Sequence, residues 1–299
     1  MKLKKVLDKA NNPIILVEEN NTWRKVATEL SILELLNIKE VNSTKLEEEY
    51  FKETLPFQPT AYRDFMLYEK HAIDAARGFV KKYMSNLFPI VNTYETIFRK
   101  PFPKLKPKKR YYKHPIYYMG NHLNFITHNA SIAIPSYTKE LDYELELAAV
   151  ITKPLKNATV EEVNEAIGGF LILNDFSARD VQLDEMESGF GPMKTKNFGS
   201  AISSIVVSKD ELISNIENLT VQVFINDNKV IEANTKGKFY SFQEAIAYAS
   251  WEEQLHPGEL FGSGTIPGCT GIENGVLLKK GDTITLEVEG IGQLTNDVI

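Results

Sequence analysis

The chain has 299 residues, of which 43% are hydrophobic and 25% are charged, and its formal net charge is -6. These proportions exclude a disordered or fibrous protein, and the length is sufficient for one large domain or two smaller ones. Because binding to nucleic acid or to an anionic membrane draws on a basic surface, the acidic net charge argues against both classes of partner.

The first 58 residues predict a small N-terminal α/β domain. An apolar strand at residues 13–17 is followed by a helical pattern at residues 31–38. Prolines at positions 56 and 59 then break the chain, so a second, catalytic domain is predicted at residues 59–299.

Residues 61–83 carry apolar side chains at helical spacing and predict a helix that contains His71. Residues 99–113 hold eight lysines and arginines, interrupted by prolines that prevent a regular helix. We interpret this basic stretch as a solvated loop, with a nucleic-acid-binding patch as the alternative.

Residues 141–151 alternate between apolar and polar side chains at the start, which predicts a strand with Asp142, Glu144 and Glu146 on one face. An oxygen-seeking cation such as Mg²⁺ or Ca²⁺ would relieve the repulsion between the carboxylates of Glu144 and Glu146. The alternative is the solvent-exposed face of an antiparallel strand, which is the more common arrangement.

A helix is predicted to begin at the capping box of Thr159 and Glu162 and to end at glycines 168 and 169. The apolar run at residues 170–173 then predicts a buried strand. Asp175 lies at the exit of this strand, where polar side chains often carry function. A helix start capped by Ser177 is the alternative interpretation.

The second half of the chain is rich in predicted strands. Residues 221–225 and 229–233 flank turn residues and predict a hairpin, and residues 283–288 predict a further strand after a turn. The regular strand–helix alternation of a doubly wound sheet is missing, so the pattern predicts a β-rich α+β fold.

Cys269 is the only cysteine, so neither an intrachain disulfide nor a cysteine-based zinc site can form. The apolar run at residues 13–17 is too short for a signal peptide, and no stretch approaches the roughly 20 apolar residues of a membrane span. These features predict a cytoplasmic protein.

Three successive blocks resemble the signature blocks of the fumarylacetoacetate hydrolase superfamily in their order and spacing. They are Leu-Asp-Tyr-Glu-Leu-Glu-Leu-Ala-Ala-Val-Ile at 141–151, Asn-Asp-Phe-Ser-Ala-Arg-Asp at 174–180 and Gly-Pro-Met-Lys-Thr-Lys-Asn-Phe at 191–198. Blocks at 257–265 and 290–296 are also similar to the family. The resemblance implies a mixed β-sandwich or β-roll catalytic domain and a homodimer.

The resemblance also implies that Glu144, Glu146 and Asp175 hold a divalent cation, with Mg²⁺ expected and Ca²⁺ or Mn²⁺ as alternatives. Asp64 is a fourth expected ligand. It precedes His71 by seven residues, as the corresponding aspartate does in longer members of the fumarylacetoacetase type.

His71 corresponds to the catalytic base of those members, although a lone histidine of this kind would be interpreted as a partly buried helix residue. Glu273 is the expected acid that orients His71, and Asp74 is the local competitor. Lys196 corresponds to a lysine that stabilises an oxyanion.

Four residues match substrate-binding positions of the family, and one further residue, Ser200, matches a position that supports the metal site. The four are Tyr118, Arg179, Gln182 and Thr265.

The chain departs from animal fumarylacetoacetases at substrate-contacting positions. Met66 and Met186 stand where those enzymes have tyrosines. The position of their substrate-contacting arginine falls near Val80, with Arg77 and Lys81 as neighbours. The resemblance therefore does not extend to fumarylacetoacetate as the substrate.

The leading hypothesis is hydrolysis of a carbon–carbon bond in a β-diketone or acylpyruvate-like oxo acid. A cation would polarise the carbonyl, His71 would activate water, and Lys196 would stabilise the oxyanion. A lyase on the same scaffold, such as an oxaloacetate decarboxylase or a sugar-acid dehydratase, is the closest rival. A catalytically silent small-molecule binder is the third hypothesis.

Overall fold

A computed structural model describes residues 1–46 and 51–299. In these residues the chain forms a strand-rich structure of three sheets. The strands are β1 (Lys2–Leu7), β2 (Pro13–Glu19), β3 (Thr22–Val26), β4 (Ser43–Thr44), β5 (Lys52–Glu53), β6 (Tyr62–Phe65), β7 (Tyr117–Gly120), β8 (Phe125–Ile126), β9 (Ala130–Ile132), β10 (Leu141–Asp142), β11 (Leu145–Ile151), β12 (Ile167–Asn174), β13 (Ser177–Ala178), β14 (Ser200–Ile202), β15 (Ile205–Ser208), β16 (Thr220–Ile225), β17 (Asn228–Asn234), β18 (Leu260–Gly262), β19 (Thr283–Val288) and β20 (Gly292–Val298).

The helices range in length from four to 15 residues. They are α1 (Ile32–Leu35), α2 (Glu69–Tyr83), α3 (Phe88–Phe98), α4 (Val160–Ala166), α5 (Arg179–Glu187), α6 (Lys209–Leu212), α7 (Phe242–Ala249) and α8 (Gly271–Asn274). Short 3₁₀ helices form at Pro103–Leu105 and His122–Asn124. Within the described part of the chain, none of the helices combines the length and the apolar character that crossing a bilayer requires.

The largest sheet has thirteen strands, and its main path runs β4-β3-β2-β1-β15-β12-β11-β18-β6-β7. The N-terminal strands join the rest of the chain through antiparallel pairing of β1 with β15. Residues 1–46 therefore extend the same sheet that contains β11 and β12. The predicted domain boundary at residue 58 stays a prediction.

A five-stranded sheet of order β17-β16-β19-β20-β9 lies beside the large sheet. One hydrophobic cluster contains Leu147 and Ile172 of the large sheet together with Leu286 of the smaller one. Ala148 and Leu171 point the other way, into a second cluster with the N-terminal strands. The central strands β11 and β12 are thus buried on both faces, and the predicted β-rich α+β class is confirmed.

Most of the predicted elements are present. The strands predicted at 13–17, 170–173 and 283–288 are confirmed within β2, β12 and β19, and the predicted hairpin is formed by β16 and β17. The capping box of Thr159 and Glu162 begins α4 as expected.

Two element boundaries were wrong. Residues 62–65, predicted as the start of a helix, form strand β6, and α2 begins only at Glu69. Helix α4 ends at Ala166, and the two glycines lie inside β12. A Cβ on Gly169 would lie 2.6 Å from the carbonyl oxygen of Val207, so a close approach of β15 explains this glycine.

The segment that was predicted as one alternating strand is interrupted. β10 ends at Asp142 and pairs with β13, whereas β11 begins at Leu145 and pairs with β12 and β18. Glu144 lies in the gap, where it forms a single bridge with Thr270. The acidic side chains of this segment are buried, so it has no solvent-exposed acidic face.

Candidate metal and catalytic site

Neighbouring strands bring three carboxylates together. Asp64 lies on β6, Glu146 lies on β11, and Asp175 directly follows β12. In the large sheet β18 lies between β6 and β11, and β12 flanks β11 on its other side. One carboxylate oxygen from each residue lies within 4.8 Å of the others, and all three residues are buried. We call these three residues the carboxylate cluster.

Gly262 on β18 makes this convergence sterically feasible. A Cβ at this position would lie 2.3 Å from Asp64 Oδ1 and 2.9 Å from Glu146 Oε2. A side chain on the strand between the two acids would therefore push them apart. Two residues along the chain, the backbone amide of Gly264 donates to Glu146 Oε2 at 3.0 Å.

The carboxylate cluster fits a divalent cation. Burial, and then the neighbouring charges, raise the pKa of Asp64 and of Glu146 well above the ordinary value. Glu146 Oε1 is buried and has no hydrogen-bond partner among the described residues. Converging buried carboxylate oxygens, one of them without a hydrogen-bond partner, are the donor set that Mg²⁺, Mn²⁺ or Ca²⁺ binds.

Glu144, which the resemblance also implied as a ligand, is not part of this cluster. Its Oε1 accepts a hydrogen bond from Arg179 Nη2 and its Oε2 accepts one from Lys196 Nζ, each at 2.5 Å. Burial alone would raise the pKa of Glu144, but the charges of Lys196 and Arg179 outweigh burial and lower it. Glu144 is thus an anion that already has two cationic partners.

Lys196 connects Glu144 to the carboxylate cluster. Its Nζ also donates to Asp175 Oδ2 at 2.5 Å, and the lysine is buried. Burial would lower the pKa of Lys196, but Asp175 and Glu144 outweigh this effect, so the pKa is raised and the lysine stays charged. A permanent cation beside the carboxylate cluster is consistent with the predicted role in charge stabilisation.

Arg179 is almost completely buried. Its Nε donates to Asp142 Oδ2 at 2.7 Å and its Nη1 donates to Gln182 Oε1 at 2.7 Å. Asp142 was seen in the sequence only as part of an acidic strand face. The signal that could have identified it is its position in the Leu-Asp-Tyr-Glu block, two residues before Glu144.

His71 and Glu273 form a buried pair. His71 lies in the first turn of α2, Glu273 lies in α8, and His71 Nδ1 is 2.5 Å from Glu273 Oε1. The other oxygen of Glu273 accepts from the amide of Gly268 at 2.7 Å, which fixes the carboxylate. Asp74, the competing acid, is instead bonded to Lys70 and Arg77. The geometry therefore favours Glu273 as the partner of His71.

The His71–Glu273 pair is connected to Glu144 through the start of α8. Thr270, the N-cap residue of α8, accepts a hydrogen bond from Arg179 Nη2, which also donates to Glu144. With Nδ1 held by Glu273, Nε2 is the nitrogen that can take a proton from water. The base, the lysine and the carboxylate cluster therefore belong to one continuous site.

The remaining predicted residues lie around the carboxylate cluster. Tyr118 on β7 donates its hydroxyl to Asp175 Oδ2 at 2.7 Å, and Ser200 donates to Asp175 Oδ1 at 3.2 Å. Thr265 is buried, and its hydroxyl has no hydrogen-bond partner within the described ranges. The first two residues therefore orient Asp175, whereas the hydroxyl of Thr265 is left for another group.

Comparison of the chain with known proteins identifies its family and several relatives. Residues 91–299 match the family model described as fumarylacetoacetate (FAA) hydrolase C-terminal. A fumarylacetoacetate hydrolase domain-containing protein 2 homolog of Dictyostelium discoideum is 34% identical over 179 residues, which are 57% of this chain and 59% of that protein. A mitochondrial oxaloacetate tautomerase of Xenopus laevis is 32% identical over 188 residues, covering 62% and 59%. The chain thus spans about three-fifths of the length of these curated relatives.

The fold is shared with solved structures over the whole chain. A fumarylacetoacetate hydrolase from the psychrophile Exiguobacterium antarcticum superposes with a TM-score of 0.74 at 21% identity, and the match covers 100% of this chain and 99% of the other. This likeness establishes the fold. The family model matches more than half of the residues and shows that the chain belongs to the fumarylacetoacetate hydrolase family.

Proposed function

We propose that the protein is a divalent-cation-dependent hydrolase that cleaves a carbon–carbon bond in a β-diketone or acylpyruvate-like oxo acid. The observation that carries this proposal is the buried pair of His71 and Glu273 in the same site as the carboxylate cluster. Hydrolysis requires a base that activates water, and this pair has the geometry of such a base.

Asp64, Glu146 and Asp175 would hold the cation, for which Mg²⁺ is the expected occupant. When bound, the cation would supply Lewis acidity toward the oxo and carboxylate oxygens of the substrate. Lys196 lies beside Asp175 and contributes a fixed positive charge to the same side of the site.

His71 Nε2 would remove a proton from water while the water oxygen forms a bond to the carbonyl carbon. Glu273 keeps the ring oriented and stabilises the imidazolium that results. The carbon–carbon bond then breaks, its electron pair passes to the enolate carbon, and the proton held by His71 is returned to that carbon. The products are a carboxylic acid and a shorter oxo compound.

The test is a loss-of-absorbance screen of diketo acids with Mg²⁺, Mn²⁺ or Ca²⁺, with product acids identified by chromatography. We expect chelation to abolish cleavage, and His71→Gln and Glu273→Gln to reduce kcat by about 10²–10⁴-fold, since this is the usual contribution of general acid–base catalysis. Asp74→Asn is the matched control, because Asp74 contacts Lys70 and Arg77 instead of His71. Cleavage that persists in His71→Gln would refute the assigned base.

A second candidate is a tautomerase that interconverts the keto and enol forms of an oxo acid. The relative from Xenopus laevis carries this activity in its name, and the chain is 32% identical to it over the matched region. Both reactions draw on stabilisation of an enolate, so the same site suits either. Rapid keto–enol conversion of oxaloacetate by the wild-type protein, without cleaved products from any diketo acid, would decide for the tautomerase.

A further inference from the structure

The carboxylate of Asp142 contacts two separate parts of the site. We propose that Asp142 is a positioning residue that fixes the His71–Glu273 base and the Arg179–Glu144 pair relative to each other. This inference rests on the proposed function in one respect only, namely that His71 acts as the base.

The first contact is with the segment that carries Glu273. Asp142 Oδ1 accepts a hydrogen bond from the amide of Gly271 at 2.7 Å, and Oδ2 accepts one from the amide of Ile272 at 2.9 Å. These amides open helix α8, whose first turn contains Glu273. Thr270, the residue at the N-cap of α8, makes no side-chain capping bond, so Asp142 supplies acceptors from a distant strand.

The second contact is with Arg179. Asp142 Oδ2 accepts from Arg179 Nε at 2.7 Å, while Nη2 of the same guanidinium binds Glu144. Thr270 closes a ring, because its hydroxyl donates to Asp142 Oδ2 and accepts from Arg179 Nη2, both at 2.9 Å. All four of these residues are buried.

The carboxylate of Asp142 is closely packed against the start of α8. A Cβ on Gly271 would lie 2.4 Å from Asp142 Oδ1 and 2.3 Å from the carbonyl oxygen of Val276. The amide of Tyr143 also donates to Oδ1, at 2.7 Å, so every group facing this carboxylate is a donor. An asparagine amide would place its own N–H groups against these donors and could not satisfy them.

The consequence concerns catalysis more than cation binding. Displacement of α8 would move Glu273 and release the imidazole of His71, and a misplacement of about 1 Å in catalytic geometry can cost about 10²-fold in rate. Asp142 makes no hydrogen bond to Asp64, Glu146 or Asp175 within the described residues. The carboxylate cluster should therefore keep its cation when Asp142 is changed.

The experiment compares wild-type protein with Asp142→Asn and with the milder Thr270→Val, which removes only the hydroxyl of the ring. Three quantities are measured: Mn²⁺ affinity by calorimetry, kcat and KM on the diketo acid found to be cleaved, and the ring-proton NMR signal of His71 Nδ1. Glu259→Gln is the matched control, since Glu259 also forms a buried ion pair, with Arg63, away from α8.

We expect Asp142→Asn to reduce kcat by about 10²-fold and Thr270→Val by about tenfold, with Mn²⁺ affinity changed by less than about tenfold. The Nδ1 proton signal should shift or broaden in both variants and stay unchanged in Glu259→Gln. A His71 signal and kcat unchanged in Thr270→Val, or a loss of Mn²⁺ binding that accounts for the whole loss of rate, would overturn the inference.

The NMR measurement separates this inference from the proposed function. If no oxo acid is cleaved, the hydrolase proposal fails, but the effect of Asp142 and Thr270 on the His71–Glu273 hydrogen bond can still be observed. If cleavage occurs and the signal does not respond to either variant, the positioning role alone is wrong.

Discussion

The site contains two groups of buried acids that lie side by side and differ in one respect. Asp142 and Glu144 are matched by Arg179 and Lys196, so their charges are compensated within the chain. In the carboxylate cluster, Asp64 and Glu146 have no such cationic partner among the described residues. Of the three acids in this cluster, Lys196 forms an ion pair only with Asp175.

Residues 144 and 146 show that neighbouring acids in one segment can have opposite electrostatic environments. Glu144 and Glu146 are two residues apart, yet the pKa of Glu144 is lowered by its cationic partners against the effect of burial, whereas the pKa of Glu146 is raised by burial and by Asp64. Buried charge is costly unless it is compensated. The charges of Asp142 and Glu144 are therefore balanced by side chains of this chain. The carboxylate cluster lacks such balance at Asp64 and Glu146, so its charge favours a bound cation.

The largest expected effect on stability comes from breaking the compensated group. Arg179→Leu leaves Asp142 and Glu144 buried without their guanidinium and should lower the free energy of unfolding by about 3–5 kcal/mol. Urea denaturation measures this change. Arg77→Leu is the control, because its ion pair with Glu95 is partly exposed and should contribute less than about 1 kcal/mol. Equal losses for both variants would contradict the comparison.

The second prediction concerns the cation. Mn²⁺ at one hundred times its dissociation constant should stabilise the wild-type protein by about 2.7 kcal/mol, and Glu146→Gln should abolish this gain. Thermal unfolding with and without Mn²⁺ gives the answer. In Glu144→Gln a measurable gain should remain, because Glu144 lies outside the carboxylate cluster. If Glu144→Gln behaves like Glu146→Gln, Glu144 is a ligand, as the resemblance implies, and the two groups form one cation site.

The third prediction concerns the glycine that lets the acids converge. Gly262→Ala would place a methyl group against Asp64 and Glu146 and should weaken Mn²⁺ binding by about 10–100-fold. Calorimetry with Mn²⁺ alone provides the measurement. Gly168→Ala is the control. Its Cβ would be equally crowded, at 2.3 Å from Thr152 Cγ2, but its nearest neighbours belong to Thr152 and Leu36 and include no carboxylate. Comparable loss of binding in the control would show that general strain, and not the site, is responsible.

The smallest expected effect belongs to Tyr118. Tyr118→Phe removes one hydrogen bond to Asp175 and should weaken Mn²⁺ binding by less than about tenfold, in line with the net value of a single hydrogen bond. Tyr117→Phe serves as the control, since that ring packs against Phe65. A loss of a hundredfold or more would mean that the hydroxyl has a larger part in holding Asp175.

Much of the fold was predictable where local patterns decide the outcome. The hairpin of β16 and β17 has Asn226 and Asp227 at positive φ in its turn, as residues of this type allow. Strand β12 was predictable from a short apolar run. The start of the 61–83 segment was not, because Tyr62 and Phe65 are spaced like helical core residues, and only pairing with β7 and β18 makes that segment a strand.

The candidate site divides in the same way. Motifs predicted Asp64, His71, Glu144, Glu146, Asp175 and Lys196 as site residues. In the structure Asp64, Glu146 and Asp175 converge, Lys196 contacts Asp175, and His71 pairs with Glu273. Asp142 and Gly262 were missed as site residues. Both contact residues more than one hundred positions away, and the alternation of apolar and polar side chains does not reveal such contacts.

The sequence by itself carried the signature blocks on which the resemblance to the family rests, and its alternating apolar pattern predicted the β-rich class. The resemblance then implied which acidic, basic and cationic side chains form the site. Only the tertiary structure decided how the acids are divided. The break between β10 and β11 turns Glu144 toward Arg179 and Lys196, while Gly262 admits Asp64 to Glu146. Electrostatic energies depend on distances of a few ångströms between residues from different strands, and such distances exist only once the sheet has formed.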